Sequence, residues 1–95
     1  MSDSLTVESL AALIMKAGHS HHEAYMDSDG IDPEWALWYS GFLQANLFGL
    51  VEKIPTRSAL IHMLVQGEKD HPVDLTPEWP AAYAADMLPQ ITGAA

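Results

Sequence analysis

Apolar residues recur at the three- and four-residue spacing of amphipathic helices in four segments of the chain, which we predict as helices over 7–26, 33–50, 57–68 and 77–88. No segment alternates between apolar and polar residues over a useful length, so strands are not indicated. Because the connections are short, neighbouring helices should run antiparallel. The sequence therefore predicts an all-α fold, either a four-helix bundle or two packed helical hairpins, in one domain over residues 1–95.

Two of these helices begin with a near-repeat. Asp32-Pro33-Glu34-Trp35 is followed by Tyr39, and Thr76-Pro77-Glu78-Trp79 is followed by Tyr83. Each segment is typical of an N-cap, a proline at the first helical position, an acid in the first turn and two aromatics one turn apart. The repeat hints at duplication of one helical hairpin.

The other helix ends also carry signals. Thr6 and Thr56 are expected N-caps, and Leu5 and Leu10 are spaced as a hydrophobic staple across the first cap. Pro89 is expected to stop the last helix. The first helix should present to the core a stripe consisting of Leu10, Leu13, Ile14, Ala17, His21, Ala24 and Tyr25.

The second helix is apolar nearly all round. One broad face contains Trp35, Trp38, Tyr39, Phe42, Ala45, Gly49 and Leu50, and the other side contains Leu37, Leu47, Phe48 and Val51. A small domain cannot easily enclose such a helix. We therefore expect Leu37, Leu47, Phe48 and Val51 to form an interface with a second copy of the chain or with a protein partner.

Composition narrows the choice of partner and compartment. The 95 residues include 13 acids and 4 Lys or Arg, for a net charge of −9, and no Lys or Arg occurs between Lys16 and Lys53. Binding to a nucleic-acid backbone is therefore disfavoured. The chain has no cysteine and no apolar run near the length of a membrane span, so we expect a cytoplasmic protein with no signal peptide and no membrane contact.

The densest cluster of chemically versatile residues is His19-Ser20-His21-His22-Glu23. Metal ligands on a helix need spacings of three or four residues, which His19 shares with His22 and with Glu23. These three are weak candidates for a metal site, because His21 points away and no further ligand is evident. We expect adventitious metal binding at most, and no cofactor.

His21 lies on the core stripe and has two interpretations. It is either a neutral imidazole satisfied by a backbone carbonyl, Asn46 or a tyrosine hydroxyl, or a pocket histidine beside aromatic walls that suit a small planar ligand. No cysteine and no serine in a recognisable nucleophile turn is present, so no catalytic residue is assigned. The candidate ligand-binding set is His21, His22, Tyr25, Trp35, Trp38, Tyr39 and Asn46.

The pattern His22-x-x-Tyr25 followed by Asp32-x-Glu34-Trp35-x-x-Trp38-Tyr39 resembles one found in small all-helical bacterial domains. The resemblance covers about a fifth of the chain and implies a helical bacterial domain, with no activity to transfer. We expect a small acidic helical interaction module that acts through helix 33–50, as a dimer or on a protein partner. The alternative is a small-ligand or metal-binding domain, which could include a minor enzyme, centred on the histidine-rich end of the first helix.

Overall fold

The computed structural model describes residues 5–24, 34–72 and 75–93, and within them it contains four α-helices. They are α1 (Val7–Ala24), α2 (Trp35–Leu47), α3 (Arg57–Asp70) and α4 (Trp79–Thr92). The predicted all-α fold is confirmed. Among the described residues, no helix is long and apolar enough to cross a membrane.

The helices pack as a bundle in which each one packs mainly against two neighbours. α1 lies against α4 and α2, and α3 packs against α2 and α4. The bundle measures 43 × 25 × 21 Å. Residues from all four helices form one apolar core, whose most deeply buried members include Leu10, Ile14, Leu43, Leu47, Leu60, Leu64, Tyr83 and Met87.

The predicted caps of α1 and α3 are confirmed. The Ser9 backbone N–H donates to Thr6 Oγ1 (3.0 Å), and the Thr6 N–H donates to Ser9 Oγ (2.9 Å), so two donors at the helix start are satisfied reciprocally. Leu5 and Leu10 flank this cap and are both buried, as a hydrophobic staple requires. At α3, the Ala59 N–H donates to Thr56 Oγ1 (3.1 Å).

The end of α3 is tied to α4 by a contact that the sequence did not indicate. α3 runs to Asp70, two residues beyond the predicted end, and the His71 N–H closes it on the Gly67 carbonyl (2.7 Å). His71 Nε2 lies 2.7 Å from Asp86 Oδ2 on α4. Residues 15 positions apart in the chain thereby connect the two helices.

α2 is shorter than predicted. It begins at Trp35, preceded by Glu34 without a side-chain cap bond, and the expected cap Asp32 lies outside the described residues, as do Tyr25 and Met26. The helix ends at Leu47 rather than Leu50. Gly49 has φ +87°, a conformation that glycine adopts readily, and this turn interrupts the helical hydrogen bonds.

The predicted limits of α4 were wrong at both ends. The Trp79 N–H bonds the Thr76 carbonyl (3.0 Å) in a turn, so the helix begins two residues after Pro77. Pro80 fits the first turn because N–H groups there have no intrahelical partner. Pro89 does not stop the helix, because burial of Ile91 holds the following turn in the core and the stop falls instead at Gly93 (φ +76°).

The two aromatic pairs of the repeat form equivalent packing contacts. The rings of Trp35 and Tyr39 meet edge to face with centroids 5.4 Å apart, and those of Trp79 and Tyr83 meet in the same way at 5.3 Å. Each tyrosine also packs on a glycine of the preceding helix. A Cβ at Gly18 would lie 3.2 Å from the Tyr39 hydroxyl, and one at Gly67 would lie 3.3 Å from the Tyr83 ring.

Candidate functional site

The surface of α2 differs from that of a typical soluble helix because none of its 13 residues is charged. Its core side carries five buried residues, namely Ala36, Tyr39, Ser40, Leu43 and Leu47. Projected at 100° per residue, the positions opposite the core hold Leu37, Trp38, Phe42 and Ala45, and Phe48 continues this side beyond the helix end. We call these five residues the α2 surface.

Exposure along the α2 surface is high for apolar side chains. Phe48 is 80% exposed and Leu37 is 41% exposed. Trp38 and Phe42 are half-buried and stack with ring centroids 5.7 Å apart and planes inclined by 16°. The surface therefore consists of a ridge of stacked rings on one side, two exposed apolar side chains on the other, and small residues between them.

The structure exposes some of the interface residues predicted from the sequence and buries others. Leu37 and Phe48 are exposed, and Val51 is half-buried against the core. Leu47 is fully buried within this chain, so its prediction as an interface residue was wrong. The reason is geometric: Leu47 lies four residues after Leu43 on the core side of the helix, whereas Phe48 lies one residue further round.

One cation crosses the edge of this surface. Arg57 Nε donates to Ser40 Oγ (3.2 Å), and a terminal guanidinium nitrogen of the same residue donates to the Leu37 carbonyl (3.2 Å). The guanidinium lies so close to Gly41 that a Cβ there would be 2.9 Å from it. Gln44 also donates to the Pro55 carbonyl (3.2 Å), so polar groups on this side of α2 hold the helix to the start of α3.

His21 is packed among aromatic rings at the junction of α1 and α2. Its imidazole is 9% exposed and lies 5.5 Å from the rings of both Trp38 and Tyr39, edge to face with the first. Burial raises the pKa of Tyr39 above its ordinary 10.0, so this phenol stays neutral to a higher pH than an exposed tyrosine does. These contacts favour the packing interpretation of His21 over a pocket histidine.

The remaining candidates for a ligand site do not gather around His21. Asn46 donates from its amide to the Phe42 carbonyl in its own helix (2.8 Å), which satisfies it locally. His22 is exposed, Trp35 is half-buried against Tyr39, and Tyr25 lies outside the described residues.

The described part of the chain contains no group of three histidine, aspartate or glutamate side chains placed to hold a metal ion. His19, His22 and Glu23 are all exposed on the last turns of α1. Their spacing alone does not make the three side chains converge on one metal ion.

An open cleft of about 380 Å³ lies at the other end of the bundle, where the α2–α3 connection meets the end of α4. Its floor contains Met63 and Ile91, and Lys53 is at its edge. Sequence reasoning missed this cleft because its walls come from residues 53–63 and 90–93, which only the fold brings together. No local motif marks either segment.

Comparison with known proteins returned no match to any family model, curated protein or solved structure.

Proposed function

We propose that the protein is a small acidic interaction module that docks through the α2 surface on another protein chain. The observation that carries the proposal is the 80% exposure of Phe48, directly after a helix that has no charged residue. Large exposed apolar side chains with no charges among them are typical of the central part of protein interfaces. Stacked Trp38 and Phe42 add the aromatic anchors that such interfaces use.

The other helices do not offer an equivalent surface. Met15 on α1 and Val65 on α3 are exposed singly, and both helices carry charged residues. The exposed positions of α4 include Ala81, Ala85 and Asp86, which provide little apolar area. Packing of the core does not require α2 to expose more apolar surface than the other helices, and partner binding through α2 accounts for that difference.

We assign the module to the cytoplasm, since a chain without cysteine needs no oxidising compartment. We do not favour the alternative ligand site at His21, because aromatic rings contact the imidazole and little of it is exposed. No catalytic step is proposed.

Position-specific cross-linking tests this function. A photoreactive phenylalanine analogue at position 48 should cross-link to a protein chain in extracts of cells that express the protein. The same analogue at position 75 should not, and this is a matched control because Leu75 is 81% exposed but lies between α3 and α4. Excess unlabelled wild-type protein should suppress the product, and excess Phe48→Ser protein should not.

Sedimentation velocity at tens of micromolar then shows whether the cross-linked chain is a second copy. If position 48 yields no product, or yields the same products as position 75, the α2 surface is not an interaction site. If Phe48→Ser competes as well as wild type, the proposal also fails.

A further inference from the structure

We infer that the α2 surface binds a basic amphipathic segment of a partner protein, with apolar residues on one face and Lys or Arg at its edges. The inference rests on the proposed function and adds the chemistry of the partner. It follows from the shape of the α2 surface and from the net charge of the chain.

The five residues of the α2 surface form an apolar strip. The rings of Trp38 and Phe42 stand on one side, Leu37 and Phe48 on the other, and Ala45 lies between them. A helix that presents apolar residues at intervals of three and four could place them along this strip. A fully polar segment would leave the exposed rings without apolar contacts.

The sequence on either side of the strip is acidic, and one cation, Arg57, lies at the edge of the strip. Glu34 immediately precedes α2, Glu52 follows it by a few residues, and Glu23 is exposed on the last turn of α1. No Lys or Arg occurs from residue 17 to residue 52. The neighbouring Arg57 guanidinium is held by Ser40 and the Leu37 carbonyl. That guanidinium keeps its positive charge, but the chain as a whole carries a net charge of −9, which attracts a basic partner.

Charge distinguishes the possible occupants. A second copy would bring another net charge of −9 and the same acids around its own strip, which opposes association at low salt. Nucleic acids and anionic lipids are repelled in the same way. A basic partner has the complementary charge, which accelerates encounter and orients the complex.

A designed peptide probes this chemistry on the full-length protein. The probe is a labelled helical peptide of about 18 residues with leucines along one face and lysines elsewhere, and fluorescence anisotropy measures its Kd. Two control peptides carry glutamate in place of lysine, or the same composition with the leucines scattered. We expect the lysine peptide to bind more tightly than either control, and its Kd to rise at least about tenfold from 50 to 300 mM salt.

Matched variants separate specific docking from general attraction to an acidic protein. Phe48→Ser should weaken lysine-peptide binding about tenfold, whereas Leu75→Ser should change it less than about twofold. Glu34→Gln should weaken it by about twofold to threefold, and Glu78→Gln, at the equivalent place before α4, should not. Far-ultraviolet circular dichroism confirms that each variant is folded.

Three results would overturn the inference. One is equal binding of the lysine peptide and its scattered control, and another is binding that Phe48→Ser does not weaken. The third is a homodimer that Phe48→Ser dissociates, that higher salt strengthens and that the lysine peptide does not compete with. In the third case the proposed function stands and only the identity of the occupant is wrong, whereas absence of position-48 cross-linking contradicts the function itself.

Discussion

α2 and α4 begin alike and end as different kinds of helix. Each starts after a Pro-Glu pair, and each places an edge-to-face Trp–Tyr pair in its first turns. Beyond those turns, α4 exposes alanines and polar residues, while α2 exposes Leu37 and part of its aromatic ridge. The shared start is explained by core anchoring, so the difference on the outer side is where a function specific to α2 should be sought.

The largest expected effect comes from the tyrosine anchors themselves. Tyr83→Ala should lower the free energy of unfolding by about 3–5 kcal/mol, because this ring is 1% exposed and leaves a cavity in the core. Tyr39→Ala should cost less, since Tyr39 is 9% exposed and borders the less completely buried aromatic cluster. Urea unfolding at 25 °C measures both. Equal losses would mean that the two anchors are equivalent in energy as well as in geometry.

The glycines beneath the anchors should also differ. A Cβ at Gly67 would press on the face of the buried Tyr83 ring, so Gly67→Ala should destabilise the protein by about 1 kcal/mol after the gain in helix propensity. At Gly18 the close contact of an added Cβ is with the Tyr39 hydroxyl, at the far end of that side chain, and the Trp79 ring lies at an ordinary 3.8 Å, so Gly18→Ala should change stability by less than about 0.5 kcal/mol. The denaturant concentration at the midpoint of unfolding tests this, provided that the slope of the transition is the same in each variant and in wild type. A larger loss at Gly18 would contradict it.

The smallest expected effect on stability at neutral pH comes from ionisation of the two anchor tyrosines. Burial, with the Glu68 carboxylate and Tyr39 nearby, raises the pKa of Tyr83 to about 12 from its ordinary 10.0. Between these values the unfolded chain binds fewer protons than the native one, so stability should be unaffected below pH 10 and should fall as the pH rises towards 12. Burial acts on Tyr39 in the same direction.

The melting temperature measured from pH 8 to pH 12 shows whether stability falls as the pH rises. Tyr83→Phe keeps the ring and removes the titrating hydroxyl, so it should flatten the decline more than Tyr39→Phe does. A wild-type melting temperature that stays constant through this range would contradict burial of the tyrosines.

Much of the fold could be predicted from sequence because its signals are local. The threonine caps before α1 and α3 and the Leu5–Leu10 staple across the first cap depend on residues within a few positions of each other. Pro89 was misread because local chemistry favours a stop, and only the burial of Ile91 in the core keeps the last turn helical.

The candidate site was harder to predict because α2 is apolar on all sides. Without a polar face to fix its rotation, the pattern could not separate Leu47, which is buried, from Phe48, which is exposed. The sequence showed that α2 has more apolar residues than the core needs, but it did not show which of them are exposed. The cleft near Lys53 and the link between His71 and Asp86 depend on residues far apart in the chain, which no local pattern joins.

That cleft has a consequence for how the fold opens. It lies between the start of α3 and the end of α4, and the α4 turn beside it includes Pro89, which lacks an N–H to bond the preceding turn. Native-state amide exchange should therefore be fastest, among the described helices, in the last turn of α4. Water would enter the core there first, at Met63 and Ile91, while the opposite side of the bundle between α1 and α2 stays protected.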